Sequence, residues 1–312
     1  MKTIRYANLD LLRLFLAIEV LWRHTSGSGG GQHGPWILNA VPTFVMLSGL
    51  LIPGSFEGSR GWGHFAWKRL LRVGPAMVVS LLAIAFLFGL VPMERSLIPY
   101  ITAGLIMVGY NAALWSLMVE EILYASHAVL RIGKIWKAET IAVLIVLCVA
   151  GSFLPVRSEV MRLFQCAAAY SIGNLAYLNI AKVNSWKWQW LTLGAVVSIG
   201  AFLLTHTTPV MLTGSIFTIL ALRNMPQVPL PEKWPDLSYG IYIYHEPILI
   251  ALKMKAGMVG NPLIVYTMGI AFVVACLSWF LLESQALKFK NQPWRLTLRR
   301  PNNPDLAEVA TA

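Results

Sequence analysis

Five ionisable residues, Asp10, Arg13, Glu19, Arg23 and His24, sit in or at the end of one apolar run near the N-terminus. An ionisable group in such a setting costs several kcal/mol unless it is paired or functional. Arg13 and His24 are eleven residues apart, close to three helical turns, so on a helix they share a face roughly 16 Å long. Asp10 lies one turn before Arg13 and can neutralise it, while His24 reads either as a base or as an interfacial histidine wetted by the next loop. Glu19 falls on the opposite face with Arg23 four residues on, the spacing of an ion pair. A second cluster, Lys68, Arg69 and Arg72, projects from one helical surface just before an apolar run. It suits lipid headgroups or the phosphates of a cofactor. The third is Trp115-Ser116-Leu-Met-Val-Glu120-Glu121, two adjacent carboxylates some 100° apart on a helix. At most one of them can face a given cation, or one is held neutral by burial. The fourth is Ser238-Tyr239-Gly-Ile-Tyr242-Ile-Tyr-His245, which reads as a hydroxyl-lined wall or as an interfacial tyrosine belt.

The elements that must position these groups are membrane helices. The 312 residues are 57% hydrophobic and 12% charged, with mean hydropathy +0.63. A soluble domain carries roughly 25% charged residues, and apolar runs of about 18 residues recur along this chain. In lipid, the backbone must satisfy itself within each segment, and the alternating pattern of a barrel is absent. The expected fold is an all-α integral membrane bundle of about ten helices, near 8–25, 36–53, 74–91, 114–130, 138–155, 163–181, 189–206, 209–223, 238–254 and 262–282. Placing both termini in the cytoplasm puts most Lys and Arg inside, including Arg60, Arg131, Lys134, Lys137, Lys182 and Lys187. Residues 1–283 then form the transmembrane domain, and 284–312 a basic cytoplasmic tail, partly disordered or lying on the membrane surface. The net charge of +11 is explained by these inner loops and implies no nucleic-acid partner. Cys148, Cys166 and Cys276 lie in apolar runs without metal-binding spacing, and no cleavable signal is seen. The glycine-rich loop 26–35 lacks the GK[ST] ending of a phosphate cradle and reads as an external connection.

Taken in order, these motifs resemble the acyltransferase-3 family of bacterial membrane O-acyltransferases. Leu9-Asp10-Leu-Leu-Arg13 followed by His24 matches its Arg-x10-His first span, and Phe44-Val-Met-Leu-Ser48-Gly-Leu-Leu-Ile52 its second. Lys68-Arg-Leu-Leu-Arg-Val-Gly-Pro75, Trp115–Glu121 and Ser238–His245 complete the set. Leu12 and Leu14 replace glycines usual beside the first arginine, Gly74 replaces a common tyrosine, and Glu19 is unexpected. The resemblance implies a multi-pass enzyme of the bacterial inner membrane. It would move an acyl group, most often acetyl, from acetyl-CoA or another acyl-CoA to a hydroxyl of a glycan or glycolipid, without a metal. His24, Arg13 and Glu120 become the catalytic candidates, with His24 as general base; Lys68, Arg69 and Arg72 would hold the donor. Asp10, Ser48, Trp115, Ser116, Glu121, Tyr239, Tyr242 and His245 would line the substrate cavity.

A proton-coupled transporter or flippase also uses buried Arg, Glu and His, but the paired, broken halves of such proteins are not seen. A non-catalytic partner of a polysaccharide exporter is a third reading. Neither an HxxxxD spacing nor a GxSxG elbow is present. An acyl-enzyme route stays open, and neither the acceptor nor the oligomeric state is written in these motifs.

Overall fold

The computed structural model describes residues 6–28, 37–88, 111, 113–231 and 234–292, and among these there is helix and no strand. The helices, in chain order, are α1 (Ala7–Ser28), α2 (Ala40–Glu57), α3 (Trp62–Phe88), α4 (Leu114–Ile132), α5 (Ala138–Gly151) and α6 (Ser158–Leu178). They continue as α7 (Ile180–Ser185), α8 (Trp188–Thr205), α9 (Thr208–Asn224), α10 (Ser238–Ala256) and α11 (Gly260–Ser278). A π turn (Trp279–Glu283), α12 (Ser284–Leu287) and a final 3₁₀ turn (Lys288–Asn291) follow without a break. Every expected span therefore overlaps a helix, although several boundaries move by four residues or more. α2 starts four residues late and runs through Pro53, and α3 begins at Trp62 rather than near residue 74. Lys68, Arg69 and Arg72 thus lie inside α3, because basic residues at a membrane boundary do not end a helix and Pro75 is absorbed within it. The glycine-rich loop from residue 29 and the tail from residue 293 lie outside the described residues.

By length and composition, four helical runs can cross a bilayer: Ala40–Glu57, Trp62–Leu87, Trp188–Thr205 and Gly260–Asn291. The bundle's outer skin is apolar, with Phe86 90% and Leu204 85% exposed, as for surfaces facing lipid. Leu16, Met46, Leu47 and Ile219 are fully buried in a core shared by α1, α2, α6, α9, α10 and α11. Gly49 and Gly173 let α2 and α6 touch backbone to backbone, since a Cβ on either would overlap the other helix's main chain.

Cross-links place several helix termini at one end. Tyr6 accepts from Arg223 of α9 (3.0 Å), and the Tyr177 hydroxyl of α6 donates to Glu57 of α2 (2.7 Å). Glu57 also pairs with Arg131 of α4 (3.1 Å), and His64 of α3 meets the Lys290 carbonyl (2.9 Å). The starts of α1 and α3 and the ends of α2, α4, α6 and α9 therefore gather together. Most of the described Lys and Arg residues lie at this end.

Candidate active site

The basic end leads to a buried cavity of about 190 Å³ between α1, α2, α3, α4 and α10. Arg13, Ser48, Arg69, Glu120 and Tyr124 give it a polar side, while Val45, Leu51 and Leu117 give it an apolar one. Glu120 is spoken for by hydroxyls: Ser48 donates to one oxygen (3.3 Å) and Tyr124 to the other (2.8 Å). Arg13 sits 4.0 Å from both Asp10 and Asp236. Asp236, in the connection before α10, also takes Arg72 at 2.6 Å, and Ser238 donates to its other oxygen (2.5 Å). Burial alone would raise the Asp236 carboxyl, but Arg72, Arg13 and the Ser238 bonds outweigh it and hold it at about 2.

The three basic candidates separate in role. Arg72 is locked between Asp236 and Glu283 (2.9 Å) and lies over the Tyr239 and Trp279 rings. Its charge is used within the protein. Lys68 donates to the Ser55 carbonyl (3.1 Å) at the basic end. Arg69 lines the cavity against Phe65 and Tyr124, and its buried Nε has no hydrogen-bond partner among the described residues. An orphaned guanidinium donor in a cavity wall is a place where an anion fits.

At the other end of the cavity, the Tyr242 hydroxyl meets Ser116 (2.6 Å), and the Phe44 ring packs edge-on against Tyr242 at 5.9 Å. Behind Tyr242, its ring 6.0 Å away, lies the fully buried His245. His245 Nδ1 is 2.7 Å from the Tyr242 carbonyl, which can only accept, so Nδ1 carries the proton and Nε2 a lone pair. That lone pair faces His24 Nδ1 at 2.9 Å, and Glu246 Oε2 faces the same nitrogen at 2.7 Å. These contacts are met when His24 carries a hydrogen on Nδ1, and in the neutral ring Nε2 then keeps the lone pair. A carboxylate fixing one ring nitrogen so that the other acts as base is the logic of hydrolytic triads.

α10 runs unbroken through Pro247, which frees one backbone carbonyl beside this cluster. Proline has no N–H to give the Ile243 carbonyl one turn earlier. Asn111 (3.1 Å) and Ser80 (3.4 Å) donate to that carbonyl instead, pinning α10 to α3.

Of the residues singled out from the sequence, the cavity brings together Arg13, Ser48, Arg69, Arg72, Ser116, Glu120, Tyr239 and Tyr242. His24 does not line it. The shared helix face is real, but Tyr242 and Phe44 separate the Arg13 end from the imidazole. Asp10 lies behind Arg13 without lining the cavity, and Trp115 packs under Arg162 (6.0 Å) instead of facing it. Glu121 points away on an exposed face, and His245 stands behind Tyr242. Glu19 does more than balance Arg23: its Oε1 accepts the Ile37 (2.6 Å) and Leu38 (3.1 Å) amides and anchors the entry to α2. Asp236, Glu246 and Glu283 were missed. An acid just before an α10 serine and an acid inside an apolar helix were the available signals.

A lipid-skinned helical bundle enclosing a polar cavity, with a carboxylate-fixed histidine at its inner end, has the make-up of a membrane-embedded transferase. A family model described as an acyltransferase domain matches residues 6–283, so the chain belongs to the acyltransferase-3 family. Nodulation protein 10 of Rhizobium leguminosarum bv. viciae is 27% identical over 353 residues, covering 91% of this chain and 94% of that protein. A protein named O-acetyl transferase from Shigella phage Sf6 is 24% identical, covering 89% of this chain and 95% of its own. No solved structure matches.

Proposed function

We propose that this membrane O-acyltransferase takes an acyl group, most often acetyl, from acyl-CoA at the cytoplasmic face of the bacterial inner membrane. It passes the group to a hydroxyl of a cell-surface glycan or glycolipid. In this reading all ten long helices cross the membrane, with both termini inside. The cavity is too small for a whole nucleotide donor, so the phosphates sit at the basic mouth and only the thioester arm enters. Arg69, with Lys68 beside it, meets the phosphates, and Arg72 shapes the wall. Arg13 and Glu120 keep the polar side ordered.

One observation carries the chemistry: Glu246 and His245 both converge on His24 Nδ1, which in the neutral ring leaves the lone pair on Nε2. The Phe44 and Tyr242 rings turn aside to admit the thioester. The acceptor hydroxyl then gives its proton to His24 Nε2 while its oxygen bonds to the thioester carbonyl carbon. Glu246 stabilises the resulting imidazolium. The tetrahedral adduct collapses, the carbon–sulfur bond breaks, and the CoA sulfur leaves with the proton returned from His24. The test uses purified protein with radiolabelled acetyl-CoA and a glycan-bearing membrane fraction. Label should move to glycan with release of CoA, and His24→Ala should lose at least about 100-fold in rate while melting normally. Full activity in that variant removes His24 from the mechanism, and transport of label without thioester cleavage rejects the reaction.

A further inference from the structure

The geometry points to a transition-metal site at His24, His245 and Glu246, at which Zn²⁺ displaces the shared proton and switches the transferase off. The inhibitory part rests on the acyl-transfer reading; the binding part does not. Three ligand atoms converge there: His24 Nδ1, His245 Nε2 and Glu246 Oε2, separated by 2.7, 2.9 and 3.5 Å. Two imidazole nitrogens and one carboxylate oxygen are a donor set that zinc takes in open four-coordinate sites. The set is also supported from behind. His245 is fully buried, and its Nδ1–H is bonded to the Tyr242 carbonyl, the arrangement that orients a metal-binding histidine and fixes which nitrogen is offered. The Ile243 carbonyl freed by Pro247 is braced by Asn111, which fixes α10 and its two ligands where α1 brings His24.

The proton count favours exchange with a cation. Three lone-pair-bearing atoms here share a single hydrogen, that on His24 Nδ1. Moving it to His24 Nε2 leaves three acceptors aimed at one point. Ligands of a tetrahedral zinc at about 2.05 Å lie roughly 3.3 Å apart, so two of the three edges need open by only about half an ångström. The His24 side chain, 35% exposed, leaves an entry path that the buried His245 lacks.

The consequence is specific to a base of this design. With zinc on Nδ1, a neutral His24 imidazole must carry its hydrogen on Nε2, the atom that has to accept the acceptor's proton. The hydrogen displaced from Nδ1 is taken up on Nε2 by exchange through solvent, so the ring stays neutral with no net proton release, and transfer stops while the metal stays.

The experiment uses the full chain in detergent, stripped of metal and titrated with Zn²⁺ against a competing chromophoric chelator. One equivalent should bind with a dissociation constant of about 1 µM or tighter. Co²⁺ should give the visible absorption of a low-coordinate nitrogen–oxygen site, and Mg²⁺ should not compete. Glu246→Gln and His245→Gln should each weaken zinc by roughly 100-fold, whereas His206→Ala, at an exposed turn, should not. Absence of stoichiometric binding by wild-type protein, or binding indifferent to both variants, overturns the site; should neither variant fold, the wild-type cobalt spectrum decides it. Label transfer should fall with zinc occupancy and recover with chelator. Undiminished transfer by zinc-saturated protein overturns the inhibition, while a protein that binds zinc yet never transfers label points instead to failure of the acyl-transfer reading.

Discussion

Side by side on one turn of α3, Arg69 and Arg72 have opposite duties because of what surrounds them. Arg72 meets two carboxylates within 2.9 Å, so its charge is neutralised before any ligand arrives. Arg69 packs against two aromatic rings and feels Glu120 and Glu121 without a close ion pair to either among the described residues, and its Nε is left without a partner there. Arg69→Gln should therefore raise the KM for acetyl-CoA about tenfold or more with kcat little changed, the signature of lost donor binding. Arg72→Gln should act on the fold. It strands two buried carboxylates, a loss of about 3–5 kcal/mol, visible as a lower Tm in detergent. Equal effects of both substitutions on KM, with no change in Tm, would show that the two arginines act as one phosphate clamp. The sequence shows that this helix carries three cations, but not which of them are satisfied. The deciding partners, Asp236 and Glu283, come from segments more than 160 residues away. Glu246 is a different case. It stands beside His245 in a motif already read as functional, and its role appears only when α1 delivers His24 to it.

The helices themselves were largely legible because lipid leaves the backbone one solution, and each long apolar run had to become a helix. Their ends were less so. Charge marked the start of α3 twelve residues late, since Lys68, Arg69 and Arg72 extend a helix as readily as leucine does. How closely the helices approach depends on small residues that hydropathy does not record. Gly49 and Gly173 are where α2 and α6 meet, and no side chain can stand between them without moving a backbone. Since α2 carries Ser48 and Phe44 and α6 braces it from behind, the cavity's width depends on that contact. Gly173→Leu should push the helices apart, lower Tm sharply and abolish label transfer. Gly200→Leu, at a glycine with open space around it, should leave both unchanged. Equal tolerance of the two substitutions would mean that the α2–α6 contact does not set the cavity.

At the scale of the whole molecule, the bundle separates two chemistries along its long axis. The cavity opens among the basic ends of the helices and stops at Phe44 and Tyr242; the imidazole cluster lies beyond, towards the C-terminal end of α1. A shared face for Arg13 and His24 follows from their spacing, but a wall between them does not, because it is built by α2 and α10 across the bundle. A donor entering from the basic end and an acceptor reaching His24 from the other would meet only at that wall. On the proposed reading the enzyme is directional. Acetyl-CoA does not cross membranes, so sealed vesicles distinguish the two faces. Inside-out vesicles, which expose the cytoplasmic face, should incorporate label from external acetyl-CoA into glycan on the lumenal side. Right-side-out vesicles should incorporate almost none until they are permeabilised, whereupon the two preparations should become equal. Strong labelling by intact right-side-out vesicles would place the donor on the outer face, and the basic mouth would then need another ligand. Loss of inside-out labelling in Arg69→Gln, restored at high acetyl-CoA, would tie the sidedness to this one cavity and exclude entry between lipid-facing helices.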